Sequence, residues 1–459
     1  MVSRSQSGKR KLTKELFVYI DTRKIGTLDE VNGSLRFRYE DSYRKDPSAI
    51  PLSSWIPLGE EETVGTHVRN YFENLLPEGD LRDLISKAIQ VSKENVFGFL
   101  EHFGGDMAGN LSALLPGEQP GLRRYTKIPR SLILEWSENH SGKPLVLQAK
   151  DSRLSISGAQ DKISLYLDSV GDFYLPVGDA PSTHILKPEI RYREGVFHSS
   201  LNEAFVMKLA EKSGMDVPQT EYLPEIRSIL VKRYDRTWPE DLNGPIGRLK
   251  QADLCQLSDV LSNKKYEAEG GLTLSQCFGL VRKHSTRPGP DTIRLIGWLA
   301  FNGAVGNMDG HAKNLSILTS RDGKVRLGPF YDLMSTNVYP ELSRKMAFKI
   351  GGENRPDWLM NRHWKRFSEE MEIKSSLVFR TIGTVIGNVQ KEIPSVKKEI
   401  EGLSISESER TFLDKLTRHI EKSATRAHLL QINPEGSISE MDMGLPPGEE
   451  DEDEILEPS

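Results

Sequence analysis

The chain has 459 residues, of which 37% are hydrophobic and 28% charged, a composition typical of a globular protein with two or three domains. It contains only two cysteines, Cys255 and Cys277, which excludes a disulfide framework and a four-thiolate metal site. The longest apolar run, residues 295–306, is too short to span a bilayer, and no apolar segment follows the basic N-terminus as a secretory signal would require. We therefore expect a cytoplasmic protein that makes no use of a membrane.

Charge is distributed unevenly along the chain, whose net charge is −5. Residues 435–459 carry ten acidic side chains and no Lys or Arg, so the rest of the chain has a net charge of about +5. A segment of such composition cannot bury enough apolar surface to fold, and we predict that 435–459 is a disordered acidic tail. The mild positive charge of the remainder permits contact with nucleotide or nucleic acid but indicates neither.

The predicted elements begin with β-structure. From residue 15, alternation in ELFVYIDTRKIGTL and then GSLRFRYE predicts a hairpin or meander. Apolar spacing in NYFENLLPEGDLRDLISKAI predicts helix over residues 66–90, around the turn LPEG. We assign residues 12–115 to an N-terminal β-rich subdomain and residues 116–150, rich in Pro, Gly and basic residues, to a connector.

Residues 150–240 are predicted to form a β-rich lobe with one helix. The predicted strands are two around a Gly turn in ISLYLDSVGDFYLPV (163–177), one in THILKPEI (183–190) and one in SILVKRYDR (228–236). The predicted helix is NEAFVMKLAEKSGMDVP (202–218), with Gly214 as its stop signal.

Residues 241–434 are predicted to form a helical lobe, interrupted by short strands near residues 303–350. Two or three amphipathic helices are expected over residues 363–430. A β-rich part followed by an all-α part predicts an α+β, two-lobed fold with a cleft between the lobes.

A polar cluster, NMDGHAKN (307–314), lies between an apolar helix and a short strand. Asp309 and Asn314 have the D-x-x-x-x-N spacing of the protein-kinase catalytic loop, whose Asp accepts the substrate's hydroxyl proton and whose Asn binds Mg²⁺. Asp332, in LGPFYDLMS, fits the metal-binding Asp of a kinase, and these oxygen ligands are those that Mg²⁺ prefers. The alternative interpretation is a loop in which these side chains only cap turns.

The parts of a kinase that hold the nucleotide are predicted upstream. RLSISGAQDKISLYL (153–167) places a small polar turn between strands, where backbone N–H groups with Ser155, Ser157, Gly158 and Gln160 can cover phosphates; a plain hairpin turn is the alternative. Lys187 lies on a strand and can reach a phosphate, or is a solvated edge charge.

Two further features complete this layout. Glu203, in the following helix, can pair with Lys187 or serve only the helix dipole. KRY (232–234) ends the last strand and is the candidate hinge for adenine. The order of loop, strand lysine, helix, hinge, D-x-x-x-x-N and Asp is the kinase layout. This order indicates a kinase more strongly than any of its motifs does alone.

The same residues resemble a known family. SISGAQDKISL, THILKPEI, NEAFVMKLA, VKRYDR, QADLCQL with KYEAEGG (251–271), NMDGHAKNLSIL and PFYDLMS are similar to the motifs of HipA-type serine/threonine kinase toxins. YFENLLPEGDLRDLI resembles that family's N-terminal coupling region, so the resemblance covers roughly residues 15–430.

The resemblance implies a role for each matching residue. Asp309 would be the catalytic base, Asn314 and Asp332 would bind Mg²⁺, and Ser155 would be autophosphorylated, which expels the loop and shuts the kinase off. The residues implied to contact ATP are Ser157, Gly158, Ala159, Gln160, Asp161, Lys187, Lys232, Arg233, Tyr234, His311, Lys313, Asn314, Tyr331 and Asp332.

The resemblance also implies partners. It predicts a small HipB-like helix-turn-helix antitoxin, operator DNA bound through that antitoxin, and a translation-related protein substrate such as glutamyl-tRNA synthetase. The main alternative is a catalytically silent co-repressor that binds an antitoxin–operator complex. Intact Asp309, Asn314, Asp332 and Lys187 argue against it, since a pseudokinase does not need all four. A small-molecule kinase is a third hypothesis, because it would need only the same ATP site.

Overall fold

The computed structural model describes residues 15–138, 144–148, 153, 157–191, 193–238 and 246–432. The predicted acidic tail and Ser155 lie outside the described residues. Within the described part of the chain, no helix combines the length and the apolar character needed to cross a membrane.

An N-terminal domain is built on a five-stranded antiparallel sheet in the order β4-β3-β2-β1-β5. Its elements are β1 (Glu15–Ile20), β2 (Arg23–Val31), β3 (Ser34–Tyr39), α1 (Asp41–Arg44), β4 (Glu62–Val64), α2 (Thr66–Glu73), α3 (Gly79–Ile89), α4 (Val96–Phe103) and β5 (Leu111–Leu114). The predicted meander is confirmed, because alternation in β3 buries Leu35, Phe37 and Tyr39 on one face. The predicted helical region is two helices, separated by the LPEG turn.

A second, six-stranded sheet follows in the order β10-β11-β9-β7-β8-β6. Its elements are β6 (Arg124–Ile128), α5 (Arg130–Glu138), α6 (Leu145–Gln148), β7 (Ile163–Leu167), β8 (Phe173–Val177), β9 (His184–Pro188), α7 (Ser199–Lys212), β10 (Thr220–Leu223) and β11 (Ser228–Lys232). Each predicted strand of this lobe is present, and α7 ends just before Gly214, whose φ of +85° suits glycine.

The third part is mainly helical. Its elements are β12 (Arg236–Thr237), β13 (Gly247–Arg248), β14 (Lys250–Asp253), α8 (Leu254–Leu257), α9 (Leu274–His284), α10 (Pro288–Val305), β15 (Ser316–Thr319), β16 (Val325–Leu327), α11 (Asn361–Glu370), α12 (Ser375–Glu401) and α13 (Glu407–Ile432). The core helix α10 is buried over most of its length, with Trp298 and Phe301 fully enclosed. Helices α11 to α13 confirm the two or three amphipathic helices predicted there.

Two features differ from the sequence-based expectation. The connector predicted over 116–150 contains β6, which pairs with β8 at the edge of the second sheet. Most of β6 is exposed, so it lacks the alternation that identifies a half-buried strand. The short strands predicted near residues 303–350 are present as β15 and β16, but they pair with β14, a strand that was not predicted, in a three-stranded sheet beside the polar cluster 307–314.

Helix α10 delivers that cluster to the cleft. Gly306 ends the helix in the left-handed conformation, with a φ of +72°. The chain then turns through residues 307–311 and a short 3₁₀ turn, Ala312–Asn314, before entering β15. Polar groups are thus placed between a mostly buried helix and a strand, in the cleft that Lys187 of the second sheet also lines.

Candidate active site

The loop after α10 presents Asp309 and Asn314 to the cleft. The Asn314 side chain folds back and its Nδ2 donates to the Asp309 carbonyl oxygen at 3.2 Å, which fixes the loop. The Asp309 carboxylate accepts a hydrogen bond from the Tyr266 hydroxyl. Burial raises the pKa of the Asp309 carboxyl, and the nearby charge of Lys265 opposes that rise. A carboxyl with a raised pKa is a better proton acceptor than an ordinary aspartate.

Lys187 lies at the centre of a buried ion-pair cluster. Its Nζ is 2.6 Å from Glu203 Oε1 and 2.6 Å from Asp332 Oδ1, so the predicted pairing with Glu203 is present. Burial disfavours the ammonium, but Asp332 and Glu203 outweigh it and raise the pKa of Lys187. Burial also opposes the Asp332 carboxylate, yet Lys187 lowers the pKa of Asp332, which therefore stays ionised.

The turn predicted to cover phosphates lies above this cluster. Gly158 has a φ of +116°, a conformation open to glycine, and the Nζ of Lys162 donates to the Ser157 carbonyl at 2.9 Å. Gln160 Nε2 donates to the carbonyl of Pro188 at 3.2 Å. Asp161 turns away from the cleft centre and accepts from the Leu145 amide at 3.0 Å, which orients the turn.

The KRY segment is only partly directed into the cleft. The Tyr234 ring stacks on Tyr331, with centroids 5.8 Å apart, and both line the cleft. The Arg233 guanidinium instead enters a buried network with Asp106 and Asp235. Only the backbone of Arg233 is therefore placed to meet an adenine ring.

Lys232 likewise holds its side chain away from the cleft centre. Its Nζ lies over the Trp238 ring, 4.7 Å from the ring centroid. Like Arg233, it can present its backbone to a nucleotide.

His311 and Lys313 occupy different surroundings. His311 is buried, and burial lowers the pKa of its imidazole to about 3, so it is neutral. Its Nδ1 has no hydrogen-bond partner among the described residues. The Lys313 Nζ is 2.8 Å from Asp253 Oδ2 and 2.6 Å from the Asn74 carbonyl, and its contact with phosphate stays a prediction. Its charge is already neutralised by protein groups.

The donor set fits a Mg²⁺–nucleotide complex. Asp332 Oδ2, Asp309 Oδ2 and Asn314 Oδ1 accept no hydrogen bond within the described residues, and His311 Nδ1 is unpartnered in the same cleft. Among those residues no group of three or more His, Cys, Asp or Glu side chains is arranged for a metal. Two protein ligands and substrate phosphates suffice for Mg²⁺. The cavity has a volume of about 720 Å³, the size of a cofactor pocket.

Several cleft residues were not identified from the sequence. Tyr266 lies in the KYEAEGG motif and Lys162 in the SISGAQDK motif, so the motifs themselves were the available signal. Glu78 and Asn74 lie in the YFENLLPEGDLRDLI motif of the N-terminal domain, but more than 150 residues of sequence separate them from the catalytic loop, so their contact with that loop was not predicted.

Comparison with known structures defines the class of protein. The HipA of Shewanella oneidensis, solved with HipB and operator DNA, superimposes with a TM-score of 0.78 at 23% sequence identity, covering 91% of this chain and 99% of that one. The predicted fold class is confirmed: this is a two-lobed, kinase-like α+β fold with an additional N-terminal domain.

The family follows from sequence. The HipA-like C-terminal domain family matches residues 154–393, and the HipA N-terminal domain family matches residues 16–114. The Y4mE protein of Sinorhizobium fredii, which is named as a kinase, is 34% identical over 434 residues, covering 91% of this chain and 99% of the relative. The serine/threonine-protein kinase toxin HipA of Shewanella oneidensis is 26% identical over 371 residues, covering 77% and 83%. The chain belongs to the HipA family of serine/threonine kinase toxins and is a kinase, as predicted.

Proposed function

We propose that this kinase transfers the γ-phosphoryl group of ATP, with Mg²⁺, to a serine or threonine hydroxyl of a protein. The observation that carries the proposal is the convergence of Asp309, Asn314, Asp332 and Lys187 on one cleft, each with the environment that its role needs. A catalytically silent co-repressor would not require an ionised Asp332 beside a buried lysine. Burying this pair of charges costs free energy, which is expected only where the pair serves to bind a ligand.

Each residue has a stated part in the transfer. Asp309 accepts the proton of the attacking hydroxyl, and Asn314 and Asp332 would hold Mg²⁺, which neutralises the phosphate charge. Lys187 moves between its carboxylate partners and the phosphates, and the backbone of 157–161 covers those phosphates. Tyr234 and Tyr331 line the side of the cleft where adenine would stack.

The decisive experiment replaces Asp309 by Asn. This variant keeps the size of the side chain but cannot accept the proton, so kcat should fall by roughly 10²- to 10⁴-fold. Phosphotransfer to the host proteome, measured by phosphoproteomics after brief induction, should disappear along with growth arrest. The matched control is Asp322→Asn, an exposed aspartate in the β15–β16 turn that should leave both unchanged. Undiminished phosphotransfer by a folded Asp309→Asn protein would contradict the kinase mechanism.

We also propose the regulation and partners that the family resemblance implies. The substrate is a translation-related protein such as glutamyl-tRNA synthetase, and phosphorylation of Ser155 inactivates the kinase. The solved relative is a complex of HipA with HipB and operator DNA, which supports a helix-turn-helix antitoxin and operator binding for this chain as well. Mass spectrometry of the purified protein tests Ser155 directly. Phosphate is expected there in the wild type and absent in Asp309→Asn.

A further inference from the structure

The LPEG turn of the N-terminal domain enters the kinase cleft. This turn joins α2 to α3, and Pro77 pairs with Gly158 in an isolated parallel bridge. The Glu78 amide donates to the Gly158 carbonyl at 3.1 Å. The backbone of the phosphate-covering turn is therefore bound to a separate domain.

The Glu78 side chain continues this contact toward the catalytic loop. Its carboxylate is buried, with Oε1 3.4 Å from Ser157 Oγ and 3.6 Å from Lys313 Nζ, and Oε2 3.3 Å from Lys265 Nζ. Burial alone would raise the pKa of the Glu78 carboxyl, but Lys313 and Lys265 outweigh it and hold that pKa below its ordinary value. One ionised carboxylate thus contacts the phosphate-covering turn and the catalytic loop together.

Asn74 holds the same lysine from the other side. Its carbonyl and Oδ1 accept from Lys313 Nζ at 2.6 and 3.1 Å. Its own Nδ2 donates to the Val260 carbonyl at 2.9 Å, so Asn74 is fixed in turn. Lys313 lies one residue before Asn314 in the 3₁₀ turn, and a shift of its ammonium would therefore move Asn314.

We propose that Asn74 and Glu78 of the N-terminal domain are positioning residues of the kinase site, which hold the catalytic loop through Lys313 and the phosphate-covering turn through Ser157 and Gly158. Neither residue acts on the transferred group. They fix the distance between the turn that covers the phosphates and the loop that carries Asp309 and Asn314. A displacement of about 1 Å in such a site costs on the order of 10²-fold in rate. The activity readouts below rest on the proposed function, whereas the hydrogen-exchange readout does not.

The test uses the full chain with Glu78→Gln, which keeps the shape of the side chain and removes its charge. We expect kcat/KM to fall by roughly 10- to 100-fold, mainly in kcat, because the lost interaction orients groups rather than binding adenine. Asp83→Asn is the matched control: it lies on the same helix α3, is partly exposed, and among the described residues pairs with Lys93 alone, so it should behave as the wild type. Asn74→Ala keeps the backbone carbonyl but removes the Oδ1 acceptor and the Nδ2 bond to Val260, so it should lower kcat/KM in the same direction and by a smaller factor.

Amide hydrogen exchange gives a readout that needs no kinase activity. In Glu78→Gln, amides of residues 157–160 and 309–315 should exchange faster than in the wild type, while α12 stays protected and shows that the fold is intact. A double variant with Lys313→Met should lose less activity than the product of the two single losses, because part of the effect of Glu78 passes through that lysine and the rest through Ser157.

Two results would overturn the proposal: unchanged exchange at both segments in Glu78→Gln, or kcat/KM within twofold of the wild type. If the wild type transfers no phosphate, the proposed function fails, and the exchange comparison alone decides whether the N-terminal domain holds the two loops.

Discussion

At the scale of single residues, Lys162 makes the charge of the cleft depend on pH. It is buried beneath the phosphate-covering turn, and burial, reinforced by the charge of Lys187, lowers the pKa of Lys162 to about 8. Asp332 and Glu203 act in the opposite direction without restoring an ordinary value. Above about pH 8 the amine is therefore neutral in the folded protein, and a positive charge beneath the phosphate-covering turn is lost.

We predict that kcat/KM for ATP declines as pH rises through about 8, since this ratio reports ionisations of the free enzyme. A Lys162→Met variant should have a lower kcat/KM and lack this decline. The free energy of unfolding should change with the opposite sign. Because the pKa of Lys162 is depressed in the folded protein, the unfolded chain binds more protons above pH 8. The contribution of Lys162 to the stability of the folded state therefore becomes more favourable as pH increases. Identical pH profiles in both proteins would show that Lys162 does not face the nucleotide.

The residues that the sequence identified are brought together by local spacing, whereas the contacts that it missed join residues far apart in sequence. Asp309 and Asn314 are brought together by a five-residue spacing and a turn, so the sequence alone placed them. Lys313, in the same octapeptide, lines the cleft, but its contact with Asn74 was not predicted, because that partner is 239 residues away in sequence. A pairing set by tertiary packing leaves no periodicity or spacing that shows which two residues meet.

At the scale of elements, the phosphate-covering turn depends on its glycine. Gly158 has a φ of +116°, and a Cβ there would lie 2.6 Å from Lys162 Nζ. We predict that Gly158→Ala strains the turn by about 1 kcal/mol or more and raises KM for ATP several-fold, while the chain stays folded. Gly171→Ala is the control, since its φ of +88° imposes similar strain in the β7–β8 turn with no atom near the added Cβ. Steady-state kinetics at varied ATP concentration compare the two variants. Equal KM values for ATP would mean that the turn around Gly158 takes no part in ATP binding.

Element type was predictable where burial gives a pattern. The apolar spacing of α10 and the alternation of β3 each correspond to a buried face, and both elements were expected. Strand β6 was not, because it is an exposed edge strand whose stability comes from pairing with β8. Its sequence carries the same polar composition as a connector, and only the sheet distinguishes the two.

At the scale of the whole molecule, a buried charge cluster joins the N-terminal domain to the KRY segment (232–234) and the strands that follow it. The Asp106 carboxylate, fully enclosed, is 3.2 Å from Arg233, 2.8 Å from Arg236 and 3.1 Å from Arg248. Arg233 immediately precedes Tyr234, so the cluster connects the N-terminal domain to the segment where adenine would bind. The two-lobed fold was predictable from the order of elements, but this connection was not, since the segment FGGDMAG shows only glycines around one aspartate.

Removing Asp106 should therefore destabilise the entire chain. Asp106→Asn leaves three buried guanidinium groups with one carboxylate fewer, and breaking a buried ion pair in this way typically costs about 3 to 5 kcal/mol of unfolding free energy. Chemical denaturation with the midpoint and slope both fitted is the measurement. The control is Glu370→Gln, which breaks an exposed pair with Arg366 and should change stability by less than about 1 kcal/mol.

The stabilising effect of Asp106 should also depend on pH. Burial opposes the Asp106 carboxylate, but the three arginines outweigh burial and lower the pKa of Asp106. Its stabilising contribution is therefore present above the pKa of the unfolded chain and is lost as pH falls toward the pKa of the folded protein. The difference in stability between wild type and Asp106→Asn should accordingly be largest near neutral pH and shrink in acid. A difference that is small at pH 7, or that grows on acidification, would mean that the arginines are held by other groups and that the cluster does not connect the domains through Asp106.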